Sequence, residues 1–338
     1  MNKEFLNQIL SQISVSGYEE KIQRVIMEHM DDYADRIDTD EICDTICVMN
    51  PDEKNKILFT AHADEIGLMV TNITESGALQ VTKRGGIIPH TYPGQQVQVV
   101  GKHGIIYGVV EETRDLYKKD NLNETDFFID IGTDCEEESK KLLELGAPIV
   151  LDTHIREMQN GRFTARALDD RLGVFIIMEA FKEAKRRGCK NSIYCAATVG
   201  EETTRNGAYW TGSRIEPDVA IVVDVTYTSD SHGTKDGDTG KVKLGGGPVL
   251  CNSPIVVKKY NEQLKKCAAK ANIPIQIEAT SNYTYTDADK IHFAGKGIPT
   301  ALVSIPLRYM HSPAEVADER DVEGCIRLLA EFMLEMEK

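Results

Sequence analysis

Eight side chains able to bind a cation or move a proton stand at the ends of apolar runs in this 338-residue chain. His62 and Asp64 follow the run 56–60. Glu201 and Glu202 follow 193–199, after Gly200. Asp224 closes 219–223, and His311 follows 300–305 by a short loop. Asp169 and Asp170 open a helical pattern. Taken singly, each has an ordinary reading: a solvated Glu-Glu face, a turn aspartate, a helix cap favoured by the dipole. Their joint position is what points to a site, because ligands of open α/β sheets bind beyond the carboxyl ends of the strands. Six carboxylates and two imidazoles cannot share a dry cleft without cations or strongly raised pKa values. Two divalent metal ions would resolve the repulsion, and mixed imidazole and carboxylate ligands suit zinc, cobalt or manganese. Such a pair polarises a carbonyl and activates a water, and a free carboxylate nearby can take that water's proton.

The elements that must position these groups are legible from periodicity. Phe5, Leu6, Ile9, Leu10 and Ile13 recur at helical spacing. Ser16-Gly17-Tyr18-Glu19 reads as a capping box before a helix carrying Ile22, Val25, Ile26 and Met30. The stretch 170–187 is helical, with Gly188 as its stop. Ser253-Pro254 reads as an N-cap with a first-turn proline. A final helix lines up Val322, Cys325, Ile326, Leu329, Phe332, Met333 and Met336. Between about 68 and 160 the chain changes character, with short Val- and Ile-rich alternating runs and turn signals such as Gly85-Gly86 and Pro93-Gly94. The expected architecture is α/β: a mostly parallel sheet flanked by helices, formed by 1–67 with 161–338 and interrupted by a small β domain over 68–160.

Composition narrows the function classes. Lysine and arginine total 39 against 54 aspartates and glutamates, a net charge of −15. That balance argues against nucleic acid as a partner, since phosphate contacts need cations, and against docking on an anionic membrane. About half of the excess, −7, lies in residues 111–144, which read as a solvated face. No run of about 18 apolar residues is present, and the polar start Met1-Asn2-Lys3-Glu4 lacks the apolar core of a signal peptide. The eight cysteines are scattered without a C-x-x-C pair and read as reduced. The expected compartment is the cytoplasm.

Five segments together resemble the M42 metallo-aminopeptidases: Ala61-His62-Ala63-Asp64-Glu65-Ile66-Gly67, Ala167-Leu168-Asp169-Asp170-Arg171, Glu201-Glu202, Val223-Asp224-Val225 and Arg308-Tyr309-Met310-His311-Ser312-Pro313. Order and spacing fit along nearly the whole chain, including Phe128-Ile129-Asp130-Ile131-Gly132 in the β insertion. The resemblance implies a zinc-peptidase-like catalytic domain, a β-barrel-like insertion used in dimerisation, and a co-catalytic metal pair. Carried over by motif, His62 and Asp224 would hold one ion, Glu202 and His311 the other, and Asp169 would bridge. Glu201 would be the general base, and Asp64 would orient His62. Spacing leaves open which of Asp169 and Asp170 bridges and which of Glu201 and Glu202 is the base; both choices rest on the resemblance. It further implies short peptide substrates and a homo-oligomer, from a dimer up to a tetrahedral dodecamer. The chain departs from the pattern at Gly200, at Thr203-Thr204-Arg205-Asn206-Gly207 and at Tyr285-Thr286-Asp287, which bears on specificity and assembly rather than on the ligands.

The expected activity is therefore a di-metal aminopeptidase. Its rivals are a metal-dependent N-acyl amino acid deacylase, a metal-independent glycoside hydrolase with paired carboxylates, and a binding module that kept the fold. Arg205 and Arg308 could favour an acidic first residue, but an arginine near so many carboxylates reads first as an ion-pair partner.

Overall fold

The computed structural model describes residues 1–231 and 240–336. Its largest sheet has eight strands in the spatial order Arg36–Thr39, Thr45–Met49, Ser192–Thr198, Lys56–His62, Val219–Tyr227, Thr300–Leu307, Val249–Asn252 and Gln276–Ala279. The four central strands, from Ser192–Thr198 to Thr300–Leu307, are mutually parallel. They are apolar along almost their whole length because both faces are covered. Ile57, Phe59 and Ala61 join one core with Phe175 and Phe332. Leu58 joins the opposite core with Ala208 and Ile291. The first core is built by the helices Lys3–Leu10, Glu20–Met30, Leu168–Arg186, Lys258–Lys270 and Glu319–Glu335. The second is built by Asn206–Ile215 and Ala288–Ile291.

Beyond His62 the chain enters a closed antiparallel barrel, ordered Gly67–Ile73, Leu79–Arg84, Phe128–Asp130, Gly104–Val110, Gln96–Gly101 and Pro148–Leu151. Leu68, Val70, Val97, Val99, Ile129 and Ile149 fill it, following the inward alternation that closure requires. The barrel starts at a glycine for want of room: a Cβ on Gly67 would sit 2.6 Å from Val15 Cγ2 and 2.7 Å from the Ile149 carbonyl oxygen. The chain returns through a three-stranded sheet of Arg156–Glu157, Arg162–Ala165 and Glu315–Asp318.

Three local expectations are corrected. Ser16 does not cap a helix: its hydroxyl lies 2.7 Å from the Thr203 hydroxyl, and its amide donates to the Glu65 carbonyl oxygen. The helix starts at Glu20, and Glu19 instead accepts from the Gly17 and Gly200 amides. Ser253-Pro254 forms a turn, because Val256 bridges to Thr300 at the sheet and holds the chain extended until the helix begins at Lys258. Asp224 lies inside its strand rather than at its end, since pairing with Thr300–Leu307 continues from Asp224 opposite Ser304 to Tyr227 opposite Leu307. All eight cysteines are free, and six of them are buried.

One buried network joins the start of the barrel, the return from it and the long helix. Glu65 pairs with Arg166 and, at 2.5 Å, with Arg171, which is fully buried and also donates to the Ser14 hydroxyl at 2.6 Å and the Leu10 carbonyl at 3.1 Å. Burial alone would raise the Glu65 carboxyl, but the two guanidinium groups hold it below the usual carboxylate range. Its stabilising contribution is therefore present at neutral pH and is lost as pH falls through that lowered value. Glu65→Gln leaves two buried guanidinium groups without their counter-ion and is expected to cost ~3–5 kcal/mol. Urea unfolding at pH 7 measures it, and a loss under 1 kcal/mol, on the order of a surface pair, would show that the network does not hold the two parts together.

Candidate metal centre

The site is assembled from the ends of the parallel strands. His62 is the last residue of its strand, and Asp64 lies two residues on, beside its imidazole. His62 Nδ1 lies 3.1 Å from the Asp64 carbonyl oxygen and 3.3 Å from Asp64 Oδ1. A proton on Nδ1 satisfies both and leaves Nε2 free as a ligand atom. His62 Nε2 is 3.1 Å from Asp169 Oδ1, and His311 Nε2 is 3.1 Å from Asp169 Oδ2. Asp169, and not Asp170, thus spans both imidazoles. His311 Nδ1 lies 2.9 Å from the Gly86 carbonyl oxygen, and Nε2 lies 3.5 Å from Glu202 Oε1. Gly86 permits that approach, since a Cβ there would sit 3.0 Å from the imidazole. Asp64 also anchors the backbone across the sheet edge, where its two oxygens accept the Glu201 and Glu202 amides at 3.0 and 3.1 Å. It therefore fixes the loop that carries both glutamates.

Among the described residues, two groups of potential ligand atoms fall within 4.8 Å of one another, His62 with Asp169 and Glu202, and His62 with Asp170 and Asp224. Both share His62, and together with His311 they make one continuous cluster. Asp169 and Asp170 have non-helical backbone at the head of the helix Leu168–Arg186, the peptide between them is cis, and both side chains are buried. Asp170 Oδ1 accepts the Gly173 amide at 3.1 Å, while Asp170 Oδ2 is buried without a hydrogen-bond partner.

The electrostatics describe a cluster short of positive charge. Burial pushes Asp170 and Asp224 well above the usual carboxylate range, raises Glu202 and lifts Glu201 to about 8. Burial would lower the imidazoles, but Asp169 and Asp64 hold His62 well above its ordinary value, and Asp169 and Glu202 carry His311 up to about 12. Asp169 is buried too, yet the imidazoles on both sides keep it well below the usual range. Without other cations, protons must do what divalent ions do at such a site. The orphaned Asp170 oxygen, the mixed imidazole and carboxylate donors and the two Nε2 atoms facing Asp169, each able to give up its proton to a cation, all fit divalent metal.

One further group holds the candidate ligands in place and escaped the sequence reading. Glu315 accepts the amides of Leu168 at 2.7 Å, Asp169 at 3.2 Å and His311 at 2.9 Å; burial and Asp169 push it up to about 8. Its only sequence signal is its place four residues after His311. Asp287 accepts the Thr198 hydroxyl at 2.6 Å. The two arginines read as ion-pair partners are ion-paired: Arg205 Nε is 2.5 Å from Glu201 Oε1, and Arg308 Nη2 is 2.9 Å from Asp230 Oδ2. A cavity of about 910 Å³ opens over Asp169, Glu201, Glu202, Asp224 and His311.

This geometry coincides with a match of residues 45–328 to the model of the M42 glutamyl aminopeptidases. The chain belongs to that family. It is accordingly an aminopeptidase-class hydrolase with candidate metal-binding groups. The M42 chain is 31% identical to the lysyl aminopeptidase of Pyrococcus furiosus, over 98% of this chain and 97% of the relative. Its fold superposes on a TET aminopeptidase from a marine sediment thaumarchaeote with a TM-score of 0.92 at 31% identity, covering 99% of this chain and 96% of the other. It superposes also on the TET1 peptidase of Pyrococcus horikoshii, which can assemble into a tetrahedron or a large octahedral shell; there the TM-score is 0.87 at 31% identity, with 99% of each chain covered. No helix among the described residues is long and apolar enough to cross a membrane.

The shifts set the sign of a pH dependence. Glu201 and Glu315, raised to about 8, favour the protonated folded state, so metal-free protein loses stability as pH climbs from about 5 toward 8. His62 and His311, also raised, contribute stability that is full below an ordinary histidine pKa of about 6.5 and fades above it. Asp169, lowered, acts only in strong acid. Chelated protein is therefore expected to melt at lower temperature at pH 8.5 than at pH 6, by about 1.4 kcal/mol per pH unit for each proton held. Zinc or cobalt should flatten or reverse that slope. Melting curves with and without chelator check it; equal slopes in both would contradict the charge deficit.

Proposed function

We propose that this chain is a two-metal aminopeptidase that removes N-terminal residues from short peptides. The observation that carries the reading is Asp169, whose two oxygens each lie 3.1 Å from a different histidine Nε2 inside a buried carboxylate cluster. His62 and Asp224 would hold one ion, Glu202 and His311 the other, and Asp169 would bridge them. Zinc or cobalt suits the donors best, and manganese is compatible. Ions bound there supply Lewis acidity toward the scissile carbonyl and lower the pKa of water.

The remaining work falls to the chain's own groups. Glu201 takes the proton of the attacking water and delivers it to the leaving amine. Its lift to about 8 by burial suits a base that must also act as an acid near neutral pH. Arg205, in contact with it, offsets part of the burial cost and fixes the side chain. Asp64 and Gly86 hold the Nδ1 protons of His62 and His311, which keeps each Nε2 directed at Asp169. Glu315 gathers the amides of two of the five segments that bring these groups together. The walls of the cavity exclude bulk water from the reacting bond.

We also read residues 1–67 with 161–338 as the catalytic unit and 68–160 as the unit for self-association. In support, the barrel strand Gly104–Val110 exposes Ile105, Tyr107 and Val109 side by side on its outer face, an apolar stripe of the kind that pairs with another copy. The TET1 relatives give precedent for assembly, as a dodecamer and as a tetrahedron or a large octahedral shell.

Turnover of a panel of aminoacyl reporter substrates, lost on chelation and restored by metal, tests the activity. Free-amine substrates should far exceed their N-acetylated counterparts, and the reverse ratio would instead identify a deacylase. Glu201→Gln should keep its metal and lose ~10²–10⁴ in turnover. Asp169→Asn should fail at metal loading itself, as read by elemental analysis. Near-normal turnover in the first variant, or full metal content in the second, removes the corresponding role.

A further inference from the structure

We infer that Glu278 makes the cavity beside the metal centre a pocket for a basic first residue, so that the peptides removed from begin with lysine or arginine. This rests on the aminopeptidase reading above. Glu278 stands on the edge strand Gln276–Ala279, lines the same cavity as Asp169, Glu202 and His311, and is only 5% exposed. Its carboxylate accepts from the Thr226 hydroxyl at 2.6 Å and from the Ser304 hydroxyl at 3.0 Å.

Those two hydroxyls place it relative to the site. Ser304 sits opposite Asp224 on the neighbouring strand. Thr226 is two residues beyond Asp224 on the same strand, so it shares that face and lies ~7 Å farther along. This is about the reach of a lysine side chain whose Cα is held at the metal centre. The cavity between is walled by Leu302, Cys251 and Ala279, which suits the methylene stem of a long cationic side chain.

The chemistry of Glu278 calls for a cation. A buried carboxylate is costly unless it is paired, and two hydroxyl donors fill only half of its acceptor sites. Among the described residues none of the ion pairs includes Glu278. Arg205, the arginine on the cavity wall, is committed to Glu201. Burial raises the Glu278 carboxyl while the two hydroxyls hold it down, and an ammonium or guanidinium from the substrate would favour the ionised form. A first-residue aspartate or glutamate would set like charge against it.

The test is a comparison of kcat/KM for zinc- or cobalt-loaded enzyme on reporter substrates beginning with lysine, arginine, norleucine, leucine and glutamate. Norleucine matters most, since it keeps the apolar stem and lacks the ammonium. Lysine or arginine should exceed norleucine by ~10- to 100-fold, as a site built around one charge discriminates against its absence. Glu278→Gln should collapse the lysine-to-norleucine ratio toward one. Wild-type enzyme that takes norleucine or glutamate as readily as lysine overturns the pocket's assignment and leaves the aminopeptidase reading intact, as does a folded Glu278→Gln with an unchanged ratio. Turnover of no substrate with zinc, cobalt or manganese overturns the aminopeptidase reading and the pocket with it. The wild-type profile decides even where the variant does not fold.

Discussion

Carboxylates brought together at one end of one sheet are the constraint on which the rest of this structure depends. Asp64, Asp169, Asp170, Glu201 and Asp224 are all buried, and Glu202 lies beside them. Like charges in a desolvated cleft repel, so each must be held by something that a looser fold would not supply. Part of the answer is backbone amides. Asp64 takes two, Glu315 takes three, and Asp224 takes that of Val225 at 2.7 Å. The amides of Val225, Leu168 and Asp169 belong to a central strand and to the head of a buried helix, while those of Glu201, Glu202 and His311 stand on turns that these same hydrogen bonds hold in place. Parallel topology is what makes this arrangement available. Each crossover returns the chain so that the next strand ends at the same edge, and segments as distant as His62 and His311 arrive side by side.

The barrel is part of that arrangement. Gly86 belongs to the loop after its second strand, yet its carbonyl decides which nitrogen of His311 carries a proton. Glu65, between the sheet and the barrel, is locked by Arg166 on the return path and by Arg171 on the helix Leu168–Arg186. The position of the barrel and the position of the candidate metal ligands are therefore one mechanical problem.

What could be read in the sequence divides along the range of the interactions. The apolar runs announced the central strands, and polar residues at their ends announced His62, Asp64, Glu201 and Glu202, because a strand buried on both faces has nowhere else to carry charge. The family resemblance supplied the choice of Asp169 over Asp170, which the contacts to both imidazoles match. Reading failed where a distant partner overrode a local preference. Ser16 has the neighbours of a cap, but the approach of Thr203 and Glu65 takes its polar groups. Ser253-Pro254 has the form of a helix start, but a bridge from Val256 to Thr300 delays it. Asp224 looks like a strand end only when the strand beside it is not yet known. Glu315 and Glu278 carry no motif, and Gly86 shows only as part of a turn signal; what each does comes from the groups that distant segments bring against it.

Two glutamates on the wall of one cavity show how partners, rather than residue type, decide what a buried carboxylate can do. Glu201 touches Arg205 and sits beside the ligands, so its charge is partly met and its proton affinity lies near neutrality, the condition for passing a proton in both directions. Glu278 touches two hydroxyls, which can orient a negative charge but cannot neutralise it. On the roles proposed above, the first carboxylate is complete as a proton carrier and the second only with a cation from outside. The family bears the name of glutamyl aminopeptidases, whereas one relative of this chain is a lysyl aminopeptidase. The groups around the metal centre are bound to one another too tightly to vary independently. Glu278 hangs on an edge strand with few such ties, so on the reading proposed above a change there would alter which first residue is accepted without disturbing how the bond is broken.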